Sequence, residues 1–403
     1  MCSKVNEKRK SKLLLTLFAL GITLTLCGCM KSVELKERTI IRMVGVDVDG
    51  QDFVLTMSQF SPQTQSGEKS SSRTQVVQTR GSSISDAIDE VSRYSGNEVF
   101  LGNSSFLVVG RTAAELGLEK VLNFFNANHE VSPELYVAMA QGEAAEIIQV
   151  QSQGDSGPTQ LKSLVEQGQE NGLLGRPTLK DIVNRLQGEY TQPYLPLIET
   201  VPSQDGEERL RIAGMAIFRD GKLLDPLSID QTRGVLWATD ELSRAIVTVD
   251  FGEQNRSRVS VELEESKSTM QVSLRNGKPV LRLSIRIEAG IKEVLSETGG
   301  GVEIDQLPQI QNAVSARIKS TVEEVVDQVF FSQKSDIFRY SEFIGSSTTR
   351  ILSRWWRNAP LRLTSNASST TQAWRQVTHR RIASHLCWKK RRQCGTIKRQ
   401  EGG

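Results

Sequence analysis

The stretches SRVSVELEES (257–266) and STMQVSLRNGKPVLRLSIRIEAGIKEV (268–294) decide the fold class. Apolar and polar residues alternate through both, with many β-branched side chains, as in strands that bury one face. Asn276-Gly277 is a hairpin dipeptide, because both residues tolerate positive φ. The region therefore reads as an antiparallel meander. A long helix follows, from Leu307 to Gln333, with Ile310, Val314, Ile318, Val322, Val325 and Val329 at three- and four-residue steps. A sheet packed against a long C-terminal amphipathic helix is α+β architecture, not a run of βα units.

Upstream the pattern is mixed α/β. TIIRMVGVDVDGQDFVLTMSQF (39–60) predicts a hairpin turned at Asp49-Gly50. Residues 61–75 are Ser-rich and read as an exposed loop. Ile84, Ala87, Ile88 and Val91 share one helical face, with Ser83 as N-cap and Gly96 as stop. A strand over 100–110, a helix over 113–128 and a strand over 135–142 follow. Residues 151–177 are polar and Gly-rich, with a short helix inside. Thr178 opens a helix to Gln187, and 210–224 form a second hairpin at Asp220-Gly221. This organisation predicts an N-terminal α/β domain over 29–205 and a C-terminal domain over 206–343, which a break near 251 would divide in two.

The N-terminus carries a different signal. MCSKVNEKRKSK holds five basic residues and one acid, and Leu13 to Leu26 is uncharged. A basic stretch before an apolar run of this length is the layout of a secretory signal, here residues 1–28, and the run is short for a membrane span. It ends in Leu26-Cys27-Gly28-Cys29, the pattern of a bacterial lipoprotein cleavage site. By that register Cys29 carries diacylglycerol and Cys27 leaves with the signal; an uncleaved anchor is the alternative. A disulfide between Cys27 and Cys29 would have poor Cα geometry, and no further ligands stand nearby for a metal.

Charge is unevenly placed. The chain has 50 basic and 47 acidic residues. Residues 344–403 hold 13 of the basic and one of the acidic, and the signal five and one, leaving 32 basic against 45 acidic in 29–343. The body is thus an acidic ectodomain with no cysteine beyond Cys29 and no disulfide framework. The last sixty residues also hold four of the five Trp and two of the three His. Three origins fit this break: an out-of-frame 3′ end, a genuine basic tail that touches anionic lipid, or a nucleic-acid-binding tail, which an exported protein has little use for.

Apparent catalytic motifs lack their partners. Gly154-Asp155-Ser156-Gly157-Pro158 resembles a serine-protease nucleophile segment, but the chemistry needs a His base and an orienting acid. The chain has only His129, His379 and His385, the last two in the basic tail. Gly299-Gly300-Gly301 has no following Gly-Lys-Ser/Thr. Glu264-Glu265 and Glu323-Glu324 read as solvated faces. The sequence predicts no enzyme, no catalytic residue, no cofactor and no metal.

Taken in order, several segments resemble the Ger(x)C lipoproteins, the C subunits of spore germinant receptors. ELKERTIIRMVGVDVDG follows the lipobox cysteine and places Gly45 and Asp47 on the family's Gly-x-Asp. Residues 100–144 resemble its central block, with Asn103 where His is common. IAGMAIFRDGKLLDPLSIDQTRGVLW (212–237) resembles its Gly-x-Ala-x-Phe hairpin and Glu/Gln-Thr-x-Gly helix. QKSDIFRYSEF (333–343) resembles its Lys-Ser-Asp-x-Phe segment, with Arg339 and Ser341 where glycines are usual. The resemblance stops near Ile344. It implies a non-enzymatic, membrane-anchored subunit that works with A and B membrane subunits at the outer face of the spore inner membrane, in germination triggered by nutrients. It also implies three mixed α/β domains rather than one familiar superfold. A solute-binding lipoprotein of an importer is the alternative; it would need two doubly wound lobes.

Overall fold

The computed structural model describes residues 38–345, apart from 62–72, 153–157, 176–177, 189, 205, 243, 253–256, 276–277 and 297–300. A large mixed sheet dominates. β1 (Arg38–Asp49), β5 (Phe106–Val109), β6 (Tyr136–Ala140) and β7 (Tyr194–Pro202) run parallel in that order. Antiparallel strands flank them: β2 (Asp52–Ser61) and β3 (Arg73–Gly81) beyond β1, and β8 (Glu208–Arg219) and β9 (Lys222–Leu223) beyond β7. The short β4 (Glu98–Phe100) pairs with the start of β1.

Parallel neighbours need crossovers, and helices supply them. α1 (Ile84–Ser95) precedes β4. α2 (Arg111–Leu116) and α3 (Leu118–Ala127) join β5 to β6, while α4 (Ala144–Ser152), α5 (Pro158–Glu170) and α6 (Leu179–Gln187) join β6 to β7. One face of the sheet buries Val44, Val46 and Leu107 against Val91, Phe125 and Ile182. The other buries Met43, Phe106 and Val108 against Ile147, Ile148 and Leu161. Covered on both faces, β5 is buried at all four positions, as central parallel strands are.

The second sheet is antiparallel. β10 (Ala245–Phe251) pairs with the start of β11 (Ser257–Arg275), which pairs along its length with β12 (Lys278–Leu295). α8 (Leu307–Val326) buries Ile310, Val314, Ile318, Val322 and Val325, the stripe read from the sequence. α7 (Ile229–Ala238) packs between this sheet and α8, and a short α9 (Tyr340–Gly345) ends the described chain. The architecture is α+β, as expected.

Several elements differ from the sequence reading. Asp49 pairs with Asp52, so the first turn is Gly50-Gln51, with Gly50 at φ +65°. β3 begins at Arg73, inside the segment read as loop; 62–72 and Asn276-Gly277 lie outside the described residues. The strand expected over 100–110 is two short strands. The helix expected over 113–128 breaks at Gly117, whose φ of +128° no helix tolerates, while Leu118 N–H donates to Gly221 O. β11 is continuous through Lys267, with an irregular register between Leu263 and Glu265. The long helix ends its α-geometry at Val326 and finishes in a π-helical turn over 327–332. The large sheet continues across 205–206, because β7 and β8 pair as a hairpin. Among the described residues the second sheet is three antiparallel strands, not the second doubly wound lobe that an importer's solute-binding protein would need.

Candidate functional site

Cys29, the lipidation residue expected from the sequence, lies outside the described residues, as do most of Gly154–Pro158, Gly299-Gly300, His379, His385 and the basic tail. The remaining motif residues fall at joints of the fold.

Asp47 is 8% exposed near the end of β1. Its carboxylate accepts from the N–H groups of Ala144 (2.9 Å) and Ala145 (3.1 Å), which satisfies the first turn of α4. Burial, which outweighs those two bonds, raises its pKa above the ordinary value, and Glu143 and Glu146 add to the rise. Gly45, two residues earlier, lets the Ala144 and Ile148 side chains press on the strand: a Cβ there would meet both within about 3.1 Å. The Gly-x-Asp motif thus locks α4 onto the sheet.

The other motifs act alike. Gly214 has φ +150°, and a Cβ there would overlap the Leu227 carbonyl, where the chain bridges back to β8. Gly234 brings α7 against Thr321 and Val325 of α8. Ser228 and Gln231 form a capping box on α7. In the Lys-Ser-Asp segment, Ser335 Oγ donates to Phe218 O at 2.6 Å, and Asp336 accepts from the N–H groups of Tyr340 (3.0 Å) and Ser341 (2.7 Å). Gln192 N–H donates to Asp336 O. This segment ties the end of the described chain to β8 and to the approach of β7. Arg339, where a glycine is usual, adopts φ +63°.

A cleft of about 840 Å³ lies where α6 and the start of β7 meet the segments around 241 and 339–342. Arg185 holds it together. Its guanidinium donates to Ile337 O (3.1 Å), reaches Glu241 Oε1 (3.4 Å) and stacks over the Tyr194 ring (4.5 Å). Tyr194 O–H donates to Glu241 Oε2 at 2.5 Å. Burial, and then the neighbouring Glu241 charge, holds the Tyr194 phenol well above its usual pKa, so it stays a donor. Arg339 grips Glu342 with two bonds (2.7 and 3.0 Å). These residues come from segments far apart in the chain, and no spacing in the sequence announces the cluster.

The acidic pairs and the histidine singled out in the sequence stand apart from one another. His129 and Glu264-Glu265 are exposed, and Glu323 and Glu324 lie on the open side of α8. Among the described residues no group of three or more His, Cys, Asp or Glu could hold a metal, and no helix is long and apolar enough to cross a membrane.

Two family models match in tandem. The spore germination protein N-terminal domain covers residues 31–200, and the spore germination B3/GerAC-like C-terminal domain covers 213–368. The chain belongs to the GerAC-like family of spore germination proteins. The second match continues past Ile344, where the residue-level resemblance stops. Relatives include spore germination protein B3 of Bacillus subtilis (strain 168), 23% identical over 80% of this chain and 86% of its own. Spore germination protein GerQC of Bacillus cereus is 19% identical over 68% of this chain and 74% of its own. The crystal structure of the GerBC protein shares the fold: TM-score 0.51, 16% identity, covering 80% of this chain and 95% of that one. In this GerAC-like chain Gly45, Asp47, Gly214, Gly234, Ser335 and Asp336, the motif positions read from the sequence, each build a packing joint.

Proposed function

We propose that this GerAC-like protein is the lipid-anchored, non-catalytic subunit of a nutrient germinant receptor. Diacylglycerol on Cys29 holds it at the outer face of the spore inner membrane, where it couples or stabilises the A and B membrane subunits. One observation supports this above the others: the family's motif residues go into helix caps and close backbone approaches, and none presents a nucleophile, base or ligand set. A chain whose characteristic residues preserve shape is suited to being contacted rather than to turning over a substrate.

The test is genetic and biochemical. Spores deleted for the gene should germinate poorly with at least one nutrient, and the intact gene should restore them. A Cys29→Ala version should fold, leave the membrane fraction and restore germination weakly. Deletion spores that respond normally to every nutrient tried would overturn the reading.

A further inference from the structure

We infer that one corner of the large sheet, the end nearest the tether, rests on an anionic lipid surface, with Arg38 and Arg42 at headgroup phosphates and Tyr94 in the interface. This rests on the proposed anchor at Cys29. Eight residues lie between Cys29 and Arg38, nine Cα steps with a reach of at most about 32 Å, so the start of β1 is held close to the bilayer.

Register gathers the relevant groups there. Arg38 lies opposite Glu98, and Ile40 opposite both Phe60 and Phe100. The Arg38 guanidinium covers the Phe100 ring at 4.7 Å, and that of Arg42 covers the Phe60 ring at 5.6 Å. Both arginines are half-buried. Stacked guanidiniums are pre-organised for phosphate, which Arg recognises bidentately. Tyr94, 76% exposed, stands one short turn before β4 on the same corner, and an amphipathic ring of this kind favours the headgroup level.

Acidic groups bound the patch. Glu98 faces Arg38 in register, Arg93 pairs with Glu90 at 2.7 Å, and Glu130 and Glu134 precede β6, two strands away. The far end of the same sheet has the opposite bias: Asp49 and Asp52 share Arg80, and Glu143 and Glu146 flank Asp47. β1 spans both ends, about 35 Å apart at strand rise. A body with 45 acids and 32 bases in 29–343 is repelled by anionic headgroups on the whole. It approaches them best on the one corner where arginine and aromatic residues meet the tether.

The full-length protein, purified from membranes, is reconstituted in vesicles of phosphatidylcholine with or without phosphatidylglycerol and exposed to hydroxyl radicals. Oxidation of Tyr94 is then read by mass spectrometry, with the exposed Ile304 as reference. Each guanidinium adds roughly fivefold to affinity for an anionic surface. Phosphatidylglycerol should therefore cut Tyr94 oxidation several-fold in the parent and in Arg42→Lys, but not in the Arg38→Gln, Arg42→Gln double variant. An unchanged melting temperature shows that the variant is folded, and Ile304 labelling normalises the radical dose. Equal Tyr94 labelling in the two vesicle types, or full protection in the double variant, overturns the docking; contact made by the basic tail alone would give the latter. The Cys29 peptide in the same digest reports the anchor separately. An unmodified peptide removes the anchor and this orientation together, whereas a lipidated peptide with unprotected Tyr94 removes only the orientation.

Discussion

Asp47 and Gly110 fill one site between them: Asp47 Oδ1 occupies the space that a Cβ on residue 110 would need. Gly110 N–H donates to Val46 O, so the backbone cannot back away without breaking the sheet. The first turn of α4 thereby reaches the carboxylate directly.

Gly110→Ala should therefore displace Asp47 from Ala144 and Ala145 and cost about 3 kcal/mol, the upper range for overpacking a tight site. Denaturant unfolding measures it. A loss no larger than that of an exposed glycine replacement such as Gly301→Ala would contradict the joint.

Asp47 also sets a pH dependence. Its folded pKa lies above the ordinary 3.8, chiefly through burial. A raised acid keeps its proton to higher pH folded than unfolded. Its stabilising share is thus complete below 3.8 and is lost as pH rises through the folded value. Asp47→Asn titrates nowhere in this window. The melting temperature of the variant should fall furthest below the parent at the acid end, and the gap should narrow as pH rises. A gap that widens is the wrong sign.

Ser335 is fully buried and its hydroxyl satisfies Phe218 O. Ser335→Ala leaves that carbonyl unpaired and should cost about 1–3 kcal/mol. The effect should be local. Hydrogen exchange should quicken in 333–345 and at the end of β8 while β5 and β6 stay protected. Uniform acceleration would mean that the clasp is not a separable unit.

Arg185→Ala removes three contacts at the cleft and leaves Tyr194 and Glu241 without their cation. The side chains of Arg185 and Glu241 are only 18% and 28% exposed, so a loss of about 1–2 kcal/mol is expected, in the range for hydrogen bonds to charged groups. Limited proteolysis should find new cleavage around 188–193. An unchanged digest would show that the cluster does not hold the junction.

Local signals carried much of the fold. The capped helix at 84–95, the Asp220-Gly221 turn and the apolar stripe of α8 all express short-range rules that the structure keeps. What failed had long-range causes. Gly117 ends one helix and begins another because Gly221, a hundred residues on, takes the next amide. β3 is polar because it lies at the sheet edge, so RTQVVQTRG gave little periodic signal. β10 did alternate, buried and exposed, from Ala245 to Phe251, yet seven residues without a turn signal did not stand out. The motif residues were visible, but their roles were not. Asp47 caps a helix almost a hundred positions later, and the Arg185–Tyr194–Glu241 cluster exists only once the two halves of the chain have met.

The clasp at 335–341 also fixes an order of events. β7 and β8 are made mid-chain, but the groups that bond Gln192 and Phe218 arrive only when residue 336 does. A chain leaving the ribosome or an export channel from its N-terminus cannot seal its first domain until nearly all of the second has followed. Those two bonds are therefore among the last that the first domain can make.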